Sequence, residues 1–430
     1  METDPTRVCE LLLGLTGVAV IGVDPRDDGR LVVHIETKAS AAGCPRCGVV
    51  AVPKERKVVE LVDMTCFGRQ VVTAWHKRRF TCADPDCEAV TFTETATRIA
   101  FPRKSMTDRV GREMTLQVGR YARSVCEVAK DHGCDWHTVN DAVKAYGGAL
   151  VDDPARYGTV EALGLDEVLF RRVGTYRRQE YSTQLVDVAR VQLLDVVPGR
   201  GKDRPVEWLE AKGEEWKSAV RVGTMDMSSA YKAVFDEALP HVTQVVDPFH
   251  LVKHANAKLD ECRRRVQNET LGHRGHKNDP LYRCRKLLVK AHERLDENGE
   301  QKLLGLLAAG DPKGQVTDTW HAKEAVREIY SHTDAALAGE WIDELVRDMS
   351  DKDRPPEVRS LAKTLKRWKA EIVAWHTHQR TNGPTEAVNN LVKRVKRGAF
   401  GFRSFDNYRV RSLLYAGRPD WSRLATINPY

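Results

Sequence analysis

The spacing of apolar residues changes along the chain and separates regions of different predicted structure. Up to about residue 101, short apolar runs alternate with turn residues, and Val18–Val23 and Leu31–Glu36 flank a PRDDG turn in a predicted hairpin. From Thr107 the apolar residues recur at helical spacing. Runs typical of buried strands then alternate with helices up to about residue 246, and the stretch from Leu251 to Trp375 is almost entirely helical. The pattern predicts a multidomain α/β protein with a large all-α insertion.

These changes of pattern give five predicted segments. They are an N-terminal β-hairpin and metal-binding region in residues 1–101, a helix-turn-helix in residues 102–152, the first part of an α/β core in residues 153–254, an all-α insertion in residues 255–375, and the last part of the core with a basic C-terminal tail in residues 376–430. Within the core we expect three strands, a helix, a strand, a helix and a strand. This is the order of a ribonuclease-H-like domain.

Residues 124–146 have the proportions of a helix-turn-helix. Two helical stretches, Ser124–Asp131 and Trp136–Tyr146, are separated by a turn at His132–Cys134. The expected core consists of Val125, Val128, Ala129, Val139, Ala142 and Val143, and the second helix is expected to expose His137, Asn140, Asp141 and Lys144 to DNA. The same pattern occurs in helical proteins that do not bind DNA, so both interpretations stay open on this evidence.

Charge and composition favour a polyanionic partner. The 430 residues are 41% hydrophobic and 30% charged, as in ordinary globular proteins, and the formal net charge is +7, with lysine and arginine in clusters. A merely basic enzyme is the alternative. The apolar runs are shorter than a membrane span, and the N-terminus, with Glu2 and Asp4, does not resemble a signal peptide. We therefore expect a cytoplasmic protein with no membrane partner.

Four of the ten cysteines have the spacing of metal ligands. Cys44 and Cys47 form a CPRCG knuckle, and Cys82 and Cys87 follow a basic strand-like run in the sequence CADPDC. The four thiols could close a tetrahedral zinc site of structural type, in which a zinc ribbon presents Arg78 and Arg79 to DNA. Unpaired buried thiols are the alternative interpretation, and Cys66 or His76 could replace one of the ligands.

Three acidic residues are candidate metal ligands because of their positions in the predicted strands and helix. The stretch TNGPTEAVNNLVKRVKRGAF, residues 381–400, predicts a turn followed by a helix from Pro384 to Gly398 with Glu386 in its first turn. Asp166 and Asp226 lie at or near the ends of apolar runs that predict buried strands, and buried strands avoid acids. The strand ends would bring the two aspartates together, and three carboxylates could share metal ions. Alternatively, Glu386 only complements the helix dipole above a solvated basic face.

The same helix has two chemically distinct faces. Its apolar stripe is Val388, Leu391, Val392 and Val395, and its polar face carries Glu386, Asn390, Lys393 and Arg397. The chain stays basic afterwards, so we expect DNA contacts from Lys393, Lys396, Arg397 and Arg403. The interleaved aromatics Phe400, Phe402, Phe405 and Tyr408 suit base stacking or core packing equally well.

Taken together and in order, these motifs resemble the DDE transposases of bacterial insertion sequences, specifically the ISL-three (ISL3) family. The resemblance spans nearly the entire chain: the CPxCG and RRFxCxxxxC cysteine motifs with a following Phe92-Thr-Glu94, the helix-turn-helix, and the core motifs GLDE, TMDMSSAY and TNGPTEAVNN. The DPFH run from Asp247 to His250 resembles an acid-x-x-His element that follows the second aspartate in several transposase families. Ala387 stands where the family usually has glycine.

The resemblance implies a catalytic triad of Asp166, Asp226 and Glu386 that holds two Mg²⁺ ions, or Mn²⁺ in their place, and cuts and joins DNA. It also implies a structural Zn²⁺ at the four cysteines. Asp247, His250 and Asn390 are expected in accessory roles. The expected partners are the element's terminal inverted repeats and target DNA, with a homodimer or higher oligomer on the bacterial nucleoid. The alternatives are a DNA-binding regulator with an inactive core, and a nuclease without strand transfer.

Overall fold

A computed structural model describes residues 1–38 and 41–430 of the chain. The strands are β1 (Val18–Pro25), β2 (Leu31–Thr37), β3 (Val52–Cys66), β4 (Arg69–Thr81), β5 (Thr91–Thr93), β6 (Ala162–Val173), β7 (Arg178–Asp187), β8 (Gln192–Pro198), β9 (Val222–Met225) and β10 (Thr243–Val246). The helices are α1 (Pro5–Leu13), α2 (Asp108–Gly119), α3 (Val125–His132), α4 (Trp136–Ala142), α5 (Gly148–Val151), α6 (Asp203–Glu210), α7 (Glu214–Ala219), α8 (Ser229–Ala238), α9 (Pro248–Leu271), α10 (Pro280–Leu288), α11 (Glu297–Gly310), α12 (Gln315–Glu328), α13 (Ala335–Met349), α14 (Pro356–His378), α15 (Gly383–Gly398) and α16 (Phe405–Ala416). The mixed α/β class is as expected.

The residues group into two compact units. One consists of Met1–Tyr157 with Leu391–Tyr430, and the other is Gly158–Asn390. The last residues of the chain, from Leu391, therefore belong with the N-terminal region, whereas the expected segment 376–430 assigned them to the core. Across the described residues, no helix combines the length and the apolar character that a membrane crossing requires.

The first unit begins with a sheet in the order β1-β2-β4-β3, with β5 on β4. β1 and β2 form the predicted antiparallel hairpin. β3 and β4 form a longer hairpin whose tip is Phe67-Gly68, and both tip residues adopt positive φ. Inward-facing side chains such as Ile35, Leu61 and Trp75 build the core of this sheet.

The helical part of the first unit contains the predicted pair α3 and α4. Ser124 and Glu127 form a capping box at the start of α3, and Gly133 ends that helix with φ of 65°. The Asp135 side chain then caps α4 by accepting a hydrogen bond from the Thr138 amide. The second helix continues beyond α4 through a π-helical turn, Val143–Gly147, into α5.

The second unit is built on a sheet in the order β10-β9-β6-β7-β8. β6, β7 and β8 form an antiparallel meander, while β9 and β10 run parallel to β6. The expected succession of elements is present, except that two short helices, α6 and α7, replace the single helix expected between β8 and β9. Strand β6 forms pairs along both edges, which places it at the centre of the sheet.

From α9 to α14 the described chain contains helices and no strand, as the sequence predicts. Helices α9 to α12 share an apolar core that includes Leu259, Val266, Leu281, Leu303 and Trp320. Because α9 begins directly after β10, this helical region starts at the edge of the sheet.

Helix α15 begins and ends where the sequence predicts, but its apolar stripe is narrower. Val388, Val392 and Val395 are buried, whereas Leu391 is 36% exposed. The prediction for Leu391 was wrong because this residue lies at the margin of the stripe, one residue before the buried Val392 and three after Val388.

Candidate active site

Asp166 and Asp226 lie next to each other on neighbouring strands. Leu165 of β6 pairs with Met225 of β9 in parallel register, so the following residue on each strand is an aspartate. Asp226 follows the end of β9, as expected. Asp166 does not end its strand, because β6 continues to Val173 in its pairing with β7. Burial, and next the charge of Asp226, raise the pKa of Asp166 to about 7.

Two buried asparagines connect the start of α15 to these aspartates. Asn389 Nδ2 donates to Asp166 Oδ2 at 2.5 Å, and Asn382 Nδ2 donates to Asp226 Oδ1 at 3.2 Å. The sequence analysis gave the accessory role to Asn390, which is exposed, and missed Asn382 and Asn389. The available signal was that Asn389 follows Val388 within the apolar stripe, where a polar residue is buried and needs a partner.

Asp247 and His250 are also part of this site. Asp247 is buried and accepts hydrogen bonds from the amide of Phe249 at 2.7 Å and from the amide of Asn382 at 2.6 Å. It therefore caps α9 and fixes the residue that precedes α15. His250 Nε2 lies 2.9 Å from Asp226 Oδ1.

The pair of His250 and Asp226 is electrostatically favourable. Burial works to lower the pKa of His250, but the hydrogen bond and charge of Asp226, together with the charge of Asp247, outweigh burial and raise it. A protonated His250 balances part of the negative charge of the two aspartates.

Glu386 is exposed in the first turn of α15. Its carboxylate makes no hydrogen bond or ion pair with the residues that the structure describes. It stands three residues before Asn389, so the Cβ atoms of the two are neighbours on the helix surface, about 5–6 Å apart. The role of Glu386 as the third acid of the triad stays a prediction. Its backbone lies one helical turn from Asn389, which contacts Asp166.

Glu167 uses the opposite face of β6. Its Oε2 accepts a hydrogen bond from the hydroxyl of Tyr231 in α8 at 3.1 Å, whereas Asp166 faces α15. This agrees with the alternation of side chains along a strand. The two acids of the GLDE motif, Asp166 and Glu167, therefore lie on opposite faces of the sheet and have different partners.

The site offers hard oxygen ligands of the kind that Mg²⁺ prefers. Besides the aspartate carboxylates, the buried Asn389 Oδ1 has no hydrogen-bond partner within the described chain. Asp166, Asp226 and Glu386 do not form a closed metal site. Among the described residues, only a group of cysteines brings at least three potential ligand atoms within 4.8 Å of one another.

That group is the predicted cysteine cluster, Cys44, Cys47, Cys82 and Cys87. The Sγ atoms of Cys44 and Cys87 are 3.8 Å apart, and those of Cys47 and Cys82 are 3.5 Å apart. Tetrahedral zinc with Zn–S bonds of 2.3 Å gives a separation of about 3.8 Å. Backbone N–H groups of Cys47 and Arg46 lower the pKa of Cys44 to about 6. The cluster has the geometry of a closed structural zinc site.

The neighbouring candidates have other contacts. His76 hydrogen-bonds to His34 at 2.9 Å, and Cys66 lies at the far end of β3. Neither is needed as a ligand. The Arg78 side chain donates to the Thr37 carbonyl, and Arg79 donates to Glu55 at 2.8 Å. Both arginines thus have structural contacts within the sheet region.

The predicted DNA-binding side chains differ in exposure. On the second helix of the helix-turn-helix candidate, His137 and Lys144 are exposed. Asn140 is only 9% exposed, so its predicted exposure was wrong. It lies next to the buried Val139 and one turn before the buried Val143, at the margin of the buried stripe of this helix.

The basic residues after Glu386 also differ in their exposure. Lys393, Arg397 and Arg403 are exposed and Lys396 is half-buried. Among the aromatics, Tyr408 is buried and Phe400 is exposed. The two interpretations of the aromatics therefore apply to different residues. Tyr408 packs in the core, whereas Phe400 is accessible to a ligand.

Comparison with known proteins decides the family. A family model described as a transposase matches residues 163–412, more than half of the chain. The chain belongs to the ISL3 family of DDE transposases. It is 24% identical over 416 residues to the transposase for insertion sequence element IS1001 of Bordetella parapertussis, covering 94% of this chain and 97% of that relative. It is 26% identical over 312 residues to the transposase for IS1557 of Mycobacterium tuberculosis, covering 67% of each chain.

The matched range of this transposase contains all of the acidic site. Asp166, Asp226, Asp247 and Glu386 lie within residues 163–412, whereas the cysteine cluster and helices α3 and α4 precede them. The relative from Bordetella covers those N-terminal elements as well, because its alignment spans nearly the whole chain.

Proposed function

We propose that this transposase cleaves DNA at the ends of its element and joins them to target DNA, with Asp166, Asp226 and Glu386 as its DDE triad. One observation carries the proposal: the register of β6 and β9 sets the two aspartates side by side, and asparagines before and after Glu386 hydrogen-bond to them. These contacts hold the backbone that carries Glu386 close to both aspartates, which supports a single site for the three carboxylates.

A ribonuclease-H-like core is proposed for residues 153–254 together with residues 376–390, since the chain from Leu391 groups with the N-terminal region. In its support, the sheet has an antiparallel meander on one side of β6 and two parallel strands on the other. The remaining helices, within residues 255–375, are proposed as an insertion before the third acid. Residues 1–101 and 102–152 complete the proposed division as the cysteine-bearing domain and the helix-turn-helix.

Mg²⁺, or Mn²⁺ in its place, is the proposed catalytic cofactor, with two ions between the acids. Bound there, the ions would supply an activated oxygen nucleophile, from water or a DNA 3′-hydroxyl, and charge stabilisation at the leaving oxygen. Asn382 and Asn389 orient the aspartates through their amide groups. His250 contacts Asp226, and Glu386 would complete the site from the first turn of α15.

Recognition of the element's ends is proposed for the first unit. The four cysteines would hold one structural Zn²⁺, which fixes the knuckle before β3 to the turn after β4. Helices α3 and α4 would read the terminal inverted repeats through His137 and Lys144, because sequence is read at base edges. Phosphate contacts are proposed for Arg79, Lys393, Lys396, Arg397 and Arg403.

The proposed partners are double-stranded DNA, at the inverted repeats and at the target, and a second copy of the chain. Two ends of one element have to be held together, which favours a homodimer or a higher oligomer on DNA. With chromosomal DNA as substrate, the proposed place of action is the bacterial cytoplasm at the nucleoid.

The test uses full-length protein and a duplex carrying the inverted repeat from the DNA that flanks the coding sequence. Asp166→Ala, Asp226→Ala and Glu386→Ala should each reduce Mg²⁺-dependent cleavage by at least about 10³-fold. Glu167→Gln is the matched control, because it changes a neighbouring acid on the other face of β6. Cleavage that survives Glu386→Ala refutes the triad. Cleavage without joining to a supercoiled plasmid identifies a nuclease instead.

A further inference from the structure

We propose that Phe249 and Lys253 form a binding site for an unstacked nucleobase and its phosphate next to the catalytic acids. The inference rests on the proposed function, since it names the part of the DNA that this surface holds. Neither residue belongs to the metal-binding set described above.

Phe249 is exposed at a position where the fold does not require an aromatic side chain. It is the second residue of α9 and 60% exposed, although its neighbours Asp247 and Leu251 are buried. Its ring packs edge-on against the His250 ring, with centroids 5.4 Å apart. His250 in turn contacts Asp226. A large apolar surface therefore faces solvent two contacts away from a proposed catalytic carboxylate.

Lys253 adds a cation to the same surface. It follows Phe249 by one helical turn, and its ammonium group lies 6.0 Å from the ring centroid. Lys253 is exposed and forms no ion pair with a carboxylate in the described part of the chain. Its charge is therefore available to a phosphate.

An exposed aromatic ring with an adjacent cation suits single-stranded nucleic acid. The ring stacks on a base face, and the cation neutralises the flanking phosphate. In an intact duplex the base faces are already stacked, so only a terminal, frayed or extruded base can reach Phe249. Such a base would fix the DNA end while its phosphodiester lies at Asp226. The ligand class is thus an unpaired nucleotide at the cleavage site.

The test measures binding with catalysis removed. Full-length protein carrying Asp226→Asn is titrated with a fluorescein-labelled, pre-cleaved duplex of the inverted repeat, and with duplexes that carry one abasic site at each of the last three nucleotides. Phe249→Ala should weaken binding of the intact duplex by about 5- to 100-fold. At one abasic position the same substitution should have no effect, because the stacked base is already missing. Phe249→Trp should bind at least as tightly as the parent.

The controls separate stacking from folding and from the triad. Leu337→Ala removes an equally exposed apolar side chain from the first turn of another long helix and should leave binding unchanged. Phe249→Leu keeps an apolar side chain and should lose most of the affinity. Equal losses on intact and abasic DNA at every position, or no loss on intact DNA, overturn the proposal. Because the readout is binding of pre-cleaved DNA and not cleavage, failure of the triad assignment does not affect this result.

Discussion

Asn389 is the residue whose role differs most from its appearance in the sequence. It is buried in the apolar stripe of α15, donates to Asp166 and leaves Oδ1 without a described partner. We predict that Asn389→Ala weakens Mn²⁺ binding, measured by electron paramagnetic resonance, by about 10- to 100-fold, as for other residues that orient metal ligands. Asn390→Ala is the matched control and should bind Mn²⁺ normally. Equal effects of the two substitutions would show that the contact with Asp166 is not important.

The raised pKa of Asp166 also predicts how the stability of the protein depends on pH. Its pKa in the folded protein, about 7, lies above the ordinary value of 3.8, so the group stabilises the metal-free fold at low pH. That contribution is lost as pH rises from about 4 through 7, and it amounts to roughly 1–4 kcal/mol. Chemical denaturation in EDTA should show a loss of this size that is absent in Asp166→Asn. A parallel pH profile for the variant would contradict the prediction.

At the residue scale, the sequence identifies acids but not their neutral partners. Asp166 and Asp226 are conspicuous because charges are rare in buried strands. Asn382 read as a turn residue, and the exposed Asn390 was chosen in place of Asn389, although Asn389 lies within the apolar stripe of the helix. Only the packed helix shows which amide reaches a carboxylate.

At the scale of elements, the close approach of α15 to β6 depends on Gly164. A Cβ atom there would lie 2.9 Å from the Val188 side chain and would overlap the Thr385 hydroxyl in α15. Gly164→Ala should therefore displace the first turn of α15, which carries Glu386. We predict a loss of cleavage of at least about 10-fold and a destabilisation of about 1–3 kcal/mol.

The control for this prediction is Gly201→Ala, where an added Cβ meets no atom within 4 Å. It should leave cleavage and the unfolding midpoint almost unchanged. If Gly164→Ala cleaves at the parental rate, the position of α15 on β6 is less critical than proposed.

Elements with strong local signals were predictable. The start of α15 follows from Gly383 and Pro384, and α3 and α4 follow from their caps and periodicity. Asp166 was also expected inside a strand, over residues 160–170, and only the extension of that strand to Val173 was not expected. Strand β6 continues beyond the acid because it forms a hairpin with β7, in which Val173 pairs with Arg178 across a four-residue turn.

For the whole molecule, end recognition and catalysis are predicted to be separable. Combining His137→Ala with Lys144→Ala should reduce specific binding to the inverted repeat by about 10-fold or more in a footprinting titration. Salt-sensitive binding to unrelated DNA should persist through the other cations. Lys302→Ala removes an exposed lysine from α11 and is the control for charge alone. A uniform loss on all DNA would reject these two residues as base readers.

Zinc is predicted at one equivalent per chain. Cys44→Ser combined with Cys82→Ser should remove it, as measured by plasma emission spectrometry, and should weaken specific DNA binding because the knuckle before β3 loses its link to the turn after β4. Cys126→Ser, an exposed thiol outside the cluster, should keep full zinc. Zinc retained by the double variant would contradict the assignment of ligands.

The order of the motifs along the chain and the family were recognisable from sequence. The grouping of residues from Leu391 with the N-terminal region was not, because it depends on contacts between segments far apart in the chain. Periodicity describes how a segment folds locally, and it carries no information about its distant partners.

The three proposed catalytic carboxylates occupy different positions in their secondary-structure elements. Asp166 lies inside a strand, Asp226 follows the last paired residue of another, and Glu386 projects into solvent from the first turn of a helix. Of the three, the Glu386 carboxylate is exposed and has no hydrogen bond or ion pair among the described residues, so in the proposed mechanism it is the last ligand to be fixed. If bound DNA fixes this carboxylate, the proposed enzyme would stay inactive until DNA is held in the correct place.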